Sequence, residues 1–193
     1  MDFQKTISKE DIATLPREKF PGKIVVVNTK TELTKALSFL SAFTEIGFDT
    51  ETRPCFVKNT IHKMSLIQLS AIDTCFLIRL NKFNRIPRML ESFLKNKNIK
   101  KIGLSLRDDF NGLRRLIRIT PESFVDLQHV VGRFGIEELG LQKIYAILFG
   151  KRISKSKQKS NWDAEFLTKP QVQYAALDAW ACLRIYQYLE QSK

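Results

Sequence analysis

The period of the hydrophobic pattern changes repeatedly along this chain, and each change marks an element. Ser8 and Asp11 make a capping-type pair ahead of Pro16, which predicts a short helix over residues 8–15. Residues 23–28 form a β-branched run and predict a strand. Thr29 and Glu32 then make a capping box, and Leu33, Ala36, Leu37, Leu40 and Phe43 recur at helical spacing. Residues 45–51 alternate, with Ile46 and Phe48 on one face and Asp49 and Glu51 on the other. Two further strands, 63–72 and 75–80, meet at Asp73-Thr74 and predict an antiparallel hairpin. Beyond them the pattern predicts a helix over 87–95, a strand over 100–104 and an amphipathic helix over 106–117. A short, partly alternating segment at 125–131 precedes helices over 139–148 and 170–189. Strands come first, then strand–helix alternation, then helices. That order predicts an α/β fold, a mixed sheet flanked by helices, in a single domain over residues 1–193.

Four acids break the pattern. Asp49 and Glu51 end an apolar strand, where Asp is disfavoured; a solvated edge strand would explain them, and so would a hard cation gripped by both. Asp109 lies on the stripe made by Leu106, Phe110, Leu113, Leu116 and Ile117, whereas Asp108 falls on the opposite side. Favourable charge in the first helical turn accounts for an acid near that start, but not for its apolar face. Asp178 is the only charge between Lys169 and Arg184, and Tyr174 lies one turn earlier on the same face. Four carboxylates at costly positions need partners, and an all-oxygen donor set without His or Cys selects Mg²⁺ or Mn²⁺. Two such ions clamp the attacking and leaving oxygens of phosphoryl transfer.

Charge adds a second requirement. The net charge is +12 and uneven: residues 81–118 hold 11 Lys/Arg against 3 acids, and residues 151–159 hold 5 against none. A solvated basic surface or a polyanion partner fits that regional excess, and with the acids it points to a nuclease. Arg114, Arg115 and Arg118 on an outer helix face are candidates for phosphate contact. The three cysteines are widely spaced with no CxxC, so neither zinc nor a disulfide framework is expected. No secretory leader pattern and no long apolar stretch is present, so a reducing, cytoplasmic setting without membrane attachment is expected.

Three motifs in order carry a resemblance. Phe48-Asp49-Thr50-Glu51, the stretch from Lys101 through Asp109 to Leu113, and Tyr174…Asp178 are similar to the DEDD 3′–5′ exonucleases, in the subgroup with a tyrosine. Segments 65–69, 124–128, 139–141 and 160–162 also resemble that family, which includes ribonuclease D. The resemblance implies an RNase H-like fold, two divalent cations and a nucleic acid partner, the 3′ end of a single strand or a recessed duplex. It implies Asp49, Glu51, Asp109 and Asp178 as metal ligands and adds Tyr174 to the catalytic set. By motif position it implies Thr50, Gln68 and Leu69 at the terminal nucleotide. Lys151, Arg152, Lys155 and Lys157 belong to a basic loop that is a candidate flap over the strand. Two alternatives stay open, a non-catalytic nucleic-acid-binding module and an RNase H-type endonuclease, although the Tyr174…Asp178 spacing disfavours the second.

Overall fold

The computed structural model describes residues 3–55, 62–118, 120 and 122–192. Among these residues six strands form one mixed sheet: β1 (Lys23–Val27), β2 (Glu45–Thr52), β3 (Met64–Ser70), β4 (Thr74–Arg79), β5 (Lys100–Gly103) and β6 (Phe124–Asp126). Their spatial order is β1-β4-β3-β2-β5-β6. The hairpin at Asp73 is as expected, and β2 joins it antiparallel through β3. The remaining pairs, β1 with β4, β2 with β5 and β5 with β6, are parallel and require crossovers.

Among the described residues seven α-helices supply the covering layers: α1 (Lys9–Thr14), α2 (Lys30–Leu40), α3 (Arg88–Leu94), α4 (Leu106–Arg114), α5 (Leu127–Val131), α6 (Leu141–Phe149) and α7 (Lys169–Gln191). The capping box of Thr29 and Glu32 forms as expected, and Thr168 with Gln171 makes a second one at the start of α7. The alternating segment at 125–131 divides: Val125 and Asp126, with Phe124 before them, pair with β5, and Asp126 then caps α5. No helix among the described residues is long and apolar enough to cross a membrane.

The period-2 rule gives the sheet two dry faces. Ile46, Phe48, Ile67, Leu69 and Ile78 meet α2, α3 and α4, while Leu66, Leu77 and Ile102 meet α5, α6 and α7. A register shift between Glu51 and Thr52 skips Ser65, so Met64 turns to the face opposite Leu66. This bulge ends the pairing where β2 delivers its last acid.

Candidate active site

Asp49 and Glu51 point from β2 toward α7, and their strand neighbour Gly47 meets α7 directly. A Cβ on Gly47 would overlap the carbonyl oxygen of Ala179 and press on Leu183, so glycine lets the helix sit down on the strand. Ala175, Ala176, Ala179 and Ala181 keep the facing side of α7 equally thin. That close approach carries Asp178 to the acids of β2. Carboxylate oxygens of Asp49, Glu51 and Asp178 all lie within 4.8 Å of one another. Asp178 is 6% exposed and Glu51 9%. Tyr174 donates its hydroxyl proton to Asp178 one turn along α7.

Asp109 stands slightly apart. It accepts a hydrogen bond from the Thr50 hydroxyl, on the α4 side of β2, and is not in the group of three. The helical-face expectation holds: Asp109 is half-buried and Asp108 exposed. Phe48, Phe110 and Phe124 stack edge to face at centroid distances of 5.1 and 5.0 Å, which ties β2, α4 and β6 together behind these acids. Thr50 lines the cleft, about 380 Å³, together with Asp49, Glu51, Tyr174, Asp178 and Lys155. The cleft opens at the carboxyl ends of the parallel neighbours β2 and β5, where α/β sheets commonly bind ligands.

Crowded carboxylates hold their protons. Burial, then repulsion from Asp178 and Asp109, keeps the Asp49 carboxyl well above its ordinary range. Burial and the charge of Asp49 push Glu51 to about 10. Burial raises Asp178 to about 7, against the opposing hydrogen bond from Tyr174 and the charge of Lys155. Burial likewise lifts Asp109 to about 6, although Thr50 pulls it down. Tyr174 is pushed further above the usual tyrosine value by burial and by Asp178, so it remains a donor.

The donor set fits hard divalent cations. Among the described residues no ion pair within 4.0 Å neutralises Asp49, Glu51 or Asp178, and unpaired buried acids in one group call for a counter-charge. Gln68 adds to the fit. It lies directly opposite Asp49 in the β2–β3 register, fully buried, with both amide atoms unpartnered.

A pH test follows from these shifts. Between the ordinary carboxylate value of ~4 and the raised values of about 6, 7 and 10, the folded chain binds more protons than the unfolded one. Metal-free stability therefore falls as pH rises through that window. Cations bind only the deprotonated acids, so MgCl₂ or MnCl₂ is expected to raise the melting temperature far more at about pH 8 than at about pH 5.5. An equal gain at both values in thermal melts would refute metal binding by this cluster.

Asp126 is a positioning residue that the sequence did not reveal. Its carboxylate accepts from the backbone N–H groups of Ser105 (3.0 Å), Leu106 (2.9 Å) and Gln128 (3.0 Å). Ser105, the N-cap of α4, is left-handed at φ 58° and makes no side-chain cap of its own. Asp126 thus caps α4, which carries Asp109, and α5 at once. Asp126→Ala is expected to cost roughly 2 kcal/mol and to lower activity more than stability predicts, because Asp109 moves with its helix. Asp126→Asn, which retains an acceptor, should recover part of both in melting and turnover assays.

The substrate-binding expectations divide. Lys155 faces the carboxylates and lines the cleft, and Lys157 lines a cavity on the other side of its loop. Lys151 is instead held by Glu18 at 3.0 Å, and Arg152 is exposed, its backbone paired with the Pro16–Glu18 segment. Gln68 and Leu69 are both fully buried, Gln68 beside Asp49 and Leu69 in the core against α2–α4. Trp162 is core, its ring 6.0 Å from that of Tyr174.

A family model described as 3′-5′ exonuclease matches residues 24–192. The bifunctional 3′-5′ exonuclease/ATP-dependent helicase WRN of Mus musculus is 33% identical over 195 residues, covering 96% of this chain but only 14% of that protein. In fold, the chain is similar to the Nibbler EXO domain of Aedes aegypti, with TM-score 0.81 and 23% identity over 90% of this chain and 91% of that one. It is also similar to RNase D of Trypanosoma brucei in complex with RNA U12, with TM-score 0.76 and 22% identity over 88% of this chain and 63% of that one. With the family model spanning nearly its whole length, the chain belongs to the 3′-5′ exonuclease family.

Proposed function

We propose that the protein removes nucleotides one at a time from the 3′ end of a polynucleotide, releasing nucleoside 5′-monophosphates with two divalent cations, Mg²⁺ or Mn²⁺. The observation that carries this reading is the convergence of Asp49, Glu51 and Asp178 beneath Tyr174. Asp49, Glu51 and Asp178 would hold the ions, with Asp109 at their margin. When bound, such ions activate water and offset charge on the leaving oxygen.

The chain's own groups do the rest. Tyr174 stays protonated, orients Asp178 by its hydrogen bond and can present its hydroxyl to the attacking water. Glu51 is placed to direct the same water. Lys155 sets a positive charge beside Asp178 where a phosphate would lie. Thr50 fixes the Asp109 carboxylate by donating its hydroxyl to it. A nucleic acid substrate agrees with the basic loop and with the RNA bound by the similar RNase D. A reducing, cytoplasmic setting belongs to the same reading, supported by Cys75 and Cys182 as buried free thiols.

The test uses one DNA and one RNA strand, each labelled at either end, with Mn²⁺, Mg²⁺ or EDTA. The expected result is a descending ladder from the 5′-labelled strand and early release of the 3′ label as a mononucleotide, both lost in EDTA. Internal cuts would mark an endonuclease instead, and intact strands with either metal would sink the reading.

A further inference from the structure

The basic loop separates two cavities rather than covering one. Side chains along residues 153–157 divide between its two sides. Ile153 and Lys155 face the catalytic cleft, and Ser154 with Lys157 faces a second cavity, also about 380 Å³. Tyr174 is the shared wall: its ring borders both spaces. The segment is held in place from two directions. Glu18 N donates to Arg152 O at 2.9 Å, Arg152 N donates to Pro16 O at 3.0 Å, and Gln142 Nε2 donates to Ile153 O at 2.7 Å.

The lining of the second cavity is divided by chemistry. Its apolar floor is formed by Phe20, Leu177 and Pro170. Arg17, Lys19 and Lys157 supply cations, and among the described residues none of the three is paired with a carboxylate. The one acid in the lining, Glu18, is already committed: Lys151 and Arg184 lie 3.0 Å from it and Tyr145 donates to it at 2.8 Å. The space is therefore net positive beside an apolar wall. That pairing suits a nucleoside phosphate, the base against the exposed Pro170 and half-buried Tyr174 and the phosphate on the cations.

We infer that this second cavity binds a nucleoside phosphate unit, next to the catalytic cleft and across the Tyr174 wall. The inference rests on the exonuclease reading for its role, since the unit is either a neighbouring nucleotide of the bound strand or the released monophosphate. Binding itself does not depend on that reading.

The experiment is a titration in EDTA of the intact protein with a nucleoside 5′-monophosphate and, separately, with a short fluorescent oligonucleotide. Arg17 and Lys157 line the second cavity and not the catalytic cleft, so binding that depends on them reports the second cavity. Arg17→Glu and Lys157→Glu are compared with Lys157→Arg, and thermal melts confirm that each variant folds. Saturable monophosphate binding that weakens at least about tenfold in the two charge reversals and survives in Lys157→Arg supports a free-nucleotide site. The same losses for the oligonucleotide alone support a site for a neighbouring nucleotide of the strand. No binding of either ligand, or binding indifferent to both reversals, overturns the inference. Loss of turnover in the labelled-strand assay with this binding intact would overturn the exonuclease reading instead.

Discussion

Asp49→Asn is expected to abolish metal-dependent cleavage and, at the same time, to raise the melting temperature measured in EDTA. The side chain sits among Glu51, Asp178 and the nearby Asp109, and its carboxyl is held well above the ordinary range by burial and by those charges. Asparagine keeps the shape and removes the charge that a cation needs. Activity with Mn²⁺ should fall by roughly 10³-fold or more, the scale of several kcal/mol of lost transition-state stabilisation. The metal-free fold, relieved of a repulsive partner, should gain stability at neutral pH, with each kcal/mol relieved worth roughly 2–4 °C. A purely structural aspartate would show the reverse pair, retained turnover and a lower melting temperature. Activity and stability pulling in opposite directions is the mark of a site assembled for a ligand.

Gly47→Ala should produce the largest loss of stability of any single methyl added to the chain's centre. The new Cβ would overlap the Ala179 carbonyl and meet Leu183, and backbone cannot swing aside as a flexible side chain can. Relief requires α7 to lift from β2, at a cost of about 3 kcal/mol or more. Lifting α7 also draws Asp178 away from Asp49 and Glu51. Purified variant that melts much earlier and needs far more Mn²⁺ for any residual turnover is the expected outcome. A variant with native melting and metal response would show that the helix does not rest on this glycine.

Much of this architecture was legible because it is local. The capping box at Thr29, the alternation of β2, the hairpin at Asp73 and the choice of Asp109 over Asp108 depend on residues within a turn or two of each other. What escaped depends on residues far apart in sequence. The partnership of Asp126 with Ser105 spans 21 residues and that of Glu18 with Arg184 spans 166, and neither leaves a periodic trace. The surroundings of Gln68 and Leu69 were hidden for a related reason. Motif position located them near the site, but only the sheet's two covered faces decide that one lies beside Asp49 and the other on the far side. The helix expected from Leu139 begins at Leu141, leaving Leu139 57% exposed, because Gly140 takes the cap position.

Strand β2 has almost no latitude for drift. Glu45 pairs with Lys100 at 3.0 Å, Ile46 and Phe48 fill one core, and Gly47 seats α7. Thr50 binds Asp109, and Asp49 and Glu51 belong to the carboxylate group. A library randomised one codon at a time should thus return a nearly blank row of survivors from 45 to 51 when screened for turnover. The exposed positions of α2, such as Lys30, Thr34 and Lys35, should accept almost anything compatible with a helix. In seven consecutive residues the chain has written its folding instructions and its chemistry in the same letters, so neither can be revised without editing the other.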